Sequence, residues 1–504
     1  MKKLLRAFTQ PDENQEKHKG VYEDMRERAG KMAGAKETAK VNGITEGVIW
    51  KQLLSFFFPI VLGTFFQQLY NTTDAVIVGN FVGKEALAAV GGSTGTLINL
   101  LVGFFVGLSS GATVIISQYY GARNTENVEK SVHTALALSI VGGAVIMVLG
   151  IVFSRWALSA MGTPDDIMDY SVTYMCIYML GMIPSLIYNM GSGILRAVGD
   201  SKRPLYFLIV SCIANIVLDL LFVVVFGLGV AGVGIATVLS QVISAVLVVV
   251  ALLRTEDSYR LYVRKIRFTS SILRRIVTIG IPAGLQSVMY SVSNIIIQAS
   301  VNTFGTDTVA AWTAYSKIDG LFWMIMGAFG VSIMTFVGQN FGAQKYDRIQ
   351  KSVRVCLGMA FGVSIAMSIV LLLTGQYIYL LFTNDSKVIE CGVTILKSLV
   401  PFYATYVCIE ILSGAVRGTG DAVIPMLMTC VGVCVLRVIW IFVAVPQWHT
   451  IQMVAYSYPV TWVITSLLFI LYYWKSGWLK RRSIAMGFGW NEGKQNPEAT
   501  DPKA

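Results

Sequence analysis

Ser192–Pro204 reads S-G-I-L-R-A-V-G-D-S-K-R-P, and Ser413–Pro425 reads S-G-A-V-R-G-T-G-D-A-V-I-P, at an offset of 221 residues (413 − 192). Working outward at the same offset, Gln118, Gly121, Ala122, Lys130, Ser131 and Val132 recur as Gln339, Gly342, Ala343, Lys351, Ser352 and Val353. One constant offset across separate segments marks an internal duplication of roughly 220 residues per copy. Large duplicated units inside an apolar chain are a mark of membrane transporters.

The composition agrees. Apolar residues make up 55% of the chain and charged residues 14%, where a soluble domain carries about 25% charge. Mean hydropathy is +0.63. Ala86–Tyr120 and Val132–Phe153 each exceed the ~18 apolar residues that mark a spanning helix, and His133 is the one Asp, Glu, Lys, Arg or His in either stretch. The ~10-residue alternating segments of a β-barrel are absent. The expected fold is therefore an all-α polytopic membrane protein. Its twelve transmembrane helices would form two six-helix lobes, related by a pseudo-two-fold axis along the membrane normal. Candidate spans are 50–81, 86–120, 128–153, 168–197, 204–226, 230–253, 272–303, 308–341, 352–382, 388–416, 422–445 and 451–474. These divide the chain into a tail at 1–47, a first lobe at 48–253, a basic linker at 254–271, a second lobe at 272–474 and a tail at 475–504.

Charge sets the expected orientation. The loops on one face carry a long run of bases, from Arg123 and Lys130 through Arg260, Arg264, Lys265 and Arg267 to Arg481 and Arg482. The opposite loops carry Lys84, Arg155 and Lys387. By the positive-inside rule both termini are cytoplasmic, in a multi-pass protein of the cell membrane. The net charge of +11 then reports topology and anionic lipid, not nucleic acid. The first 47 residues are charged rather than apolar, so no cleavable signal peptide is expected. Seven scattered cysteines give neither a disulfide framework nor a metal spacing. With three dispersed histidines and no Walker loop, neither a soluble-enzyme site nor ATP-driven transport is supported. No cofactor and no enzymatic activity are expected.

Ionisable residues deep in a span are costly and are functional candidates by default. In the first copy these are Asp74 in span 1 and Asp219 in span 5, with no Lys or Arg away from the ends of a first-copy span. Asn215 lies four residues before Asp219, on the same helix face. Asp74 lies nine residues before Gly83, Asp219 nine before Leu228 and Thr237 nine after it. At ~1.5 Å rise per residue each is about 13 Å from its turn. Asp74, Asp219 and Thr237 are thus expected in one layer, with Asn215 a turn deeper. An all-oxygen set suits Na⁺, or a proton held between two carboxylates that cannot both ionise cheaply in a dry site. The alternative reading makes Asp74 a helix cap, and Asn215 and Asp219 interhelical hydrogen-bonding groups.

The second copy differs. Offsets of 221 to 223 carry Asp74 onto Ile295, Ile296 or Ile297, Asn215 onto Leu436 and Asp219 onto Trp440. The second-copy charges are Lys317 and Asp319 in span 8, Glu410 in span 10 and Arg437 in span 11. Glu410 with Arg437 is expected as a buried structural ion pair, and the rival reading has Glu410 or Asp319 attracting a cationic substrate. Met190 and Met326 are candidates to line an adaptable cavity or, on the plainer reading, to pack the core. Pro59 and Pro282 are expected to kink spans 1 and 7. The repeated S-G-x-x-R-x-x-G-D turns read as helix ends, with Gly at the cap and Arg on the last carbonyls.

Gln67–Gly83 (Q-Q-L-Y-N-T-T-D-A-V-I-V-G-N-F-V-G), Gly338–Ala343 (G-Q-N-F-G-A) and the paired R-A-V-G-D and R-G-T-G-D turns resemble the multidrug and toxic compound extrusion (MATE) family. Within it the chain is most similar to the bacterial branch that includes the DNA-damage-inducible F-type proteins. The resemblance covers about residues 44–475. It implies a two-lobed exporter that exchanges cationic drugs for Na⁺ or H⁺. It also matches the family's first-lobe cation residues to Asp74, Asn215, Asp219 and Thr237. Some relatives carry acids on helices 7 and 10; the matching positions here are Tyr290 and Tyr406, which favours coupling through the first lobe. The resulting expectation is a monomeric secondary-active antiporter of amphipathic, cationic small molecules. Its alternative is a lipid-linked oligosaccharide flippase, which would be expected to line its cavity with bases beyond Lys317 and Arg437.

Overall fold

A computed structural model of the chain describes residues 44–485. The expected tails at 1–47 and 475–504 lie outside the described residues except for 44–47 and 475–485. Within the described residues every regular element is a helix, without strands, because a backbone crossing lipid must satisfy its polar groups internally. Eleven helices are long and apolar enough to span a bilayer. A twelfth crossing comes from Asp165–Leu180 and Met182–Ala197, which meet at 49°. The bend falls at Gly181, where a Cβ would sit 2.3 Å from Gln241 Oε1 of the neighbouring span.

In chain order the spans are Ile49–Phe81, Lys84–Gly121, Thr125–Ala160, the bent pair, Lys202–Val225 and Gly229–Arg254, followed by Ser270–Asn302, Thr306–Gly342, Tyr346–Leu380, Ser386–Gly418, Val423–Gln447 and Ile451–Lys475. Spans 1 and 7 stay single helices through Pro59 and Pro282. Several helices overrun their expected ends; span 3 runs Thr125–Ala160 because its polar termini continue the helix past the apolar stretch. Span 10 carries a further base, the exposed Lys397. The linker lies along span 3, with His133 Nε2 accepting from the Tyr262 backbone N–H (3.0 Å) and Lys265 pairing with Glu129 (2.7 Å).

Twelve crossings put both described ends on one face, called here the terminal face, and the lobes are joined toward it. Gly103, Gly107 and Gly111 of span 2 run against Gly280 and Gly284 of span 7. A Cβ on Gly107 would meet the Gly284 nitrogen at 2.5 Å, and one on Gly111 the Ile276 carbonyl at 2.3 Å. Small residues at such spacing let two backbones touch. Nearer the terminal face span 2 crosses span 8. Here a Cβ on Gly121 would lie 2.0 Å from the Gln339 carbonyl, and one on Gly342 1.9 Å from that of Gln118.

The repeated signature closes this crossing. Gln118 Nε2 donates to the Gly418 carbonyl (2.9 Å), and Gln339 Nε2 donates to the Ala197 carbonyl (2.6 Å). Both members of this reciprocal pair obey the repeat offset (339 − 118 = 418 − 197 = 221). The S-G-x-x-R-x-x-G-D stretches are helix-end turns, with Gly199 at φ 97° and Gly420 at φ 89°. They are also inter-lobe acceptors, a role the turn chemistry alone does not reveal. Arg417 departs from the expected capping role, since its Nη2 reaches Gln286 Oε1 of span 7 (3.3 Å). Chain-end segments brace both turns. Arg482 donates to the Thr419 and Gly420 carbonyls, and Ile44 packs on Gly199 while Arg348 of span 9 holds residues 44–47 by their carbonyls.

Gly342→Val cannot fit this crossing and should force the terminal face open. With Ser117→Cys, which is buried in the crossing, maleimide labelling above that of the native cysteines should quicken by about tenfold, the ratio that ~1.4 kcal/mol produces. Unchanged labelling would show that the glycine contact does not hold the face shut.

Candidate functional site

Asp74 of span 1 points into the first lobe, 5% exposed, toward Asp219 and Asn215 of span 5 (both 0%) and Thr237 of span 6 (2%). Thr237 Oγ1 donates to Asp74 Oδ2 at 3.4 Å and also to the Val233 carbonyl one turn back at 2.9 Å. All four residues expected from turn spacing and resemblance are therefore brought together. Asn215 also reaches Asp74, because the i, i+4 spacing puts it on the same face as Asp219. Asp219 is the last α-helical residue of span 5, followed by a π-helix at Leu220–Val225. Such widened turns are frequent at functional sites.

Satisfaction is what separates this cluster from ordinary packing. Asp74 Oδ1, both carboxylate oxygens of Asp219 and both side-chain polar atoms of Asn215 are buried and, among the described residues, face one another with no partner from outside the cluster. Buried polar atoms in native proteins are normally paired. Among the described residues, neither carboxylate has a Lys or Arg within ion-pair distance. Two acids, an amide oxygen and a hydroxyl thus converge on a dry point with no cation of their own, an arrangement fit to take up a proton or a monovalent cation. Tyr70, Tyr174 and Tyr178 surround Asp74 within electrostatic range. These tyrosines were not singled out in the sequence, although Tyr174 and Tyr178 announce a helix face by their i, i+4 spacing.

The second lobe is built otherwise. The expected Glu410–Arg437 ion pair is not formed. Glu410 Oε2 accepts from the Tyr406 hydroxyl (3.0 Å), and its Oε1 lies where a Cβ on Gly330 of span 8 would come within 2.1 Å. Arg437, on span 11, turns instead to span 12, its guanidinium 3.9 Å from the Tyr458 ring centroid and its Nη2 3.4 Å from Thr461 Oγ1. The pair was conceivable from sequence because nothing along the chain tells which face of span 11 looks at span 10. Asp319 accepts from the Tyr403 and Tyr315 hydroxyls (2.8 and 3.2 Å) and from Trp323 Nε1 (2.6 Å). Tyr290 and Tyr406 meet through their hydroxyls at 3.4 Å. Met190 and Met326 are buried within the apolar cores of the first and second lobe. Met190 also borders a small pocket with Phe105, Ser139 and Asn189.

Comparison with known proteins gives concordant matches. The sequence model of the MatE family matches the chain twice, over residues 59–221 and 282–443. "Probable multidrug resistance protein YoeA" of Bacillus subtilis is 27% identical over 446 residues, covering 86% of this chain and 95% of the relative. "Probable multidrug resistance protein YpnP" of the same organism is 28% identical over 402 residues, covering 79% and 89%. A solved structure described as the outward-facing conformation of a multidrug resistance MATE family transporter superposes with a TM-score of 0.80 at 23% identity, covering 89% of this chain and 99% of that one.

An unpaired buried acid costs stability, so Asp219→Asn should stabilise the protein by about 1–3 kcal/mol at neutral pH. Thermal melting in detergent reads this as an upward shift, and a downward shift would mean that Asp219 is already well paired.

Proposed function

Because the chain belongs to the MatE family, we propose that it is a secondary-active multidrug exporter. It exchanges amphipathic, cationic compounds for H⁺ or Na⁺, with Asp74, Asn215, Asp219 and Thr237 as the cation-coupling residues. The observation that carries the reading is the buried, cation-free pair of acids with its unsatisfied oxygens. A structural cluster would be paired within the protein; a coupling site must be completed by an ion that comes and goes.

The basic loops make the terminal face cytoplasmic, and the joined state of that face makes this conformation outward-open. Polar side chains left uncovered in the outer halves of spans 1, 7 and 8, among them Gln68, Asn71, Asn294, Gln298 and Ser316, suit a wet cleft between the lobes rather than a lipid face. A cation arriving from outside neutralises the acid pair, and rocking of the lobes then exposes the site inward. Lys317 stands uncovered on span 8, whereas Arg437 is closed off by Tyr458 and Thr461. Such a lining does not offer the paired bases that a pyrophosphate-linked lipid would require.

In proteoliposomes, dye efflux measured under separately imposed Na⁺ and pH gradients should follow one of them and vanish in Asp219→Asn, with the variant still in the membrane. Wild-type efflux in that variant would sink the assignment.

A further inference from the structure

The offset of 221 carries Thr237 onto Tyr458, Ser240 onto Thr461 and Ile216 onto Arg437. These three residues meet. Tyr458 supplies the ring under the Arg437 guanidinium, and Thr461 accepts from Nη2. Tyr458 stands at the repeat position of the site residue Thr237, and in the second lobe that position carries a side-chain cation on its ring.

Arg437 is 1% exposed, and among the described residues no carboxylate lies within ion-pair distance of it. Its charge nevertheless has an address. Arg437 is the cation that acts electrostatically on Asp319, and Tyr458 lies within range of both. Asp319 is held by three neutral donors, all of which suit its anionic form, acceptor-only at both oxygens. The groups around it are Tyr315 and Trp323 on its own helix, Tyr403 on span 10, Tyr458 on span 12 and Arg437 on span 11. Tyr403 and Trp462 are fully buried beside them, the Trp462 ring 6.1 Å from that of Trp323 and 5.6 Å from that of Tyr458.

We propose that Arg437 is a tethered counter-ion. It balances Asp319 through the Tyr458 ring, and it occupies the pseudo-symmetric position of the first-lobe cation site. The second lobe is thereby closed to the coupling ion, and each transport cycle moves cations through the first lobe only. The inference rests on the first lobe being the ion-exchanging one. Its electrostatic core does not, so the test reads stability as well as transport.

Melting is measured on purified full-length protein carrying Asp219→Asn, so that the first-lobe pair is disabled. It is done at alkaline and acidic pH, and with Na⁺ or choline at constant ionic strength. With Arg437 intact, Na⁺ should change nothing beyond what choline does. Arg437→Met should melt several degrees lower and regain stability when acid or Na⁺ supplies the missing cation, as any ligand of the folded state does. Adding Asp319→Asn should recover most of the loss and abolish the cation response. Arg437→Lys, which keeps the charge, should show no cation response.

A loss that neither cations nor Asp319→Asn relieve would overturn the proposal and leave Arg437 a packing residue. If Arg437→Met does not fold at all, recovery by the added Asp319→Asn supports the proposal, and failure of that variant to fold overturns it. On the otherwise wild-type chain, Arg437→Met should acquire an additional pH- or Na⁺-dependent step in efflux that Asp319→Asn removes. Wild-type coupling in Asp219→Asn would defeat the first-lobe reading while leaving the melting result to judge Arg437 by itself.

Discussion

Two helices cannot approach until their backbones touch unless something is missing from the surface of each. Here the missing part is Cβ, along Gly103, Gly107 and Gly111 of span 2, Gly280 and Gly284 of span 7, and at the crossing of Gly121 with Gly342. Lipid offers no hydrophobic drive for helix association, so close packing and interhelical hydrogen bonds must supply it. The contact also selects a geometry. It joins the lobes toward the terminal face and leaves the outer halves of spans 1, 7 and 8 with uncovered polar side chains. The Gln118 and Gln339 bonds then fix the register, because each amide finds its acceptor only when both repeat turns are in place.

Within that frame the lobes have divided their tasks. Both copies bury charge, and burial is expensive wherever charge stands alone. The second lobe meets the cost internally, with three donors on Asp319, Tyr406 on Glu410 and an aromatic face under Arg437. The first lobe leaves Asp219 and half of Asp74 to each other and to Asn215, with no cation beside them among the described residues. A scaffold gains nothing from that strain, whereas the ion exchange proposed above would need it. The same duplicated helices thus give one lobe whose acids are met by hydroxyl or indole donors and one whose acids face each other.

The layer of Asp74, Asp219, Asn215 and Thr237 was legible because depth along a helix is a count of residues from a turn, and turns show in sequence as Gly83 and Leu228. Which way a helix face turns about its axis is not such a count. That is why Glu410 and Arg437, at compatible depths, looked like partners and are not. The glycine spacing at 103, 107 and 111 was in plain view as a small-xxx-small series, but it names only one side of a contact. Its partners, 280 and 284, could be matched to it only in space.

The sequence by itself determined that this chain crosses a membrane, that it does so as two copies of one six-helix unit, and where along each helix the costly residues fall. These follow from apolar length, a constant offset and the fixed rise of a helix, all of which are local quantities. Only the tertiary structure decided what those residues face: that the repeated turns accept hydrogen bonds across the lobes, that the first-lobe acids stay unpaired and that Arg437 lies on Tyr458 instead of meeting Glu410. Those outcomes depend on the rotation and approach of helices hundreds of residues apart, which are set by whole packed surfaces and not by any one stretch of chain.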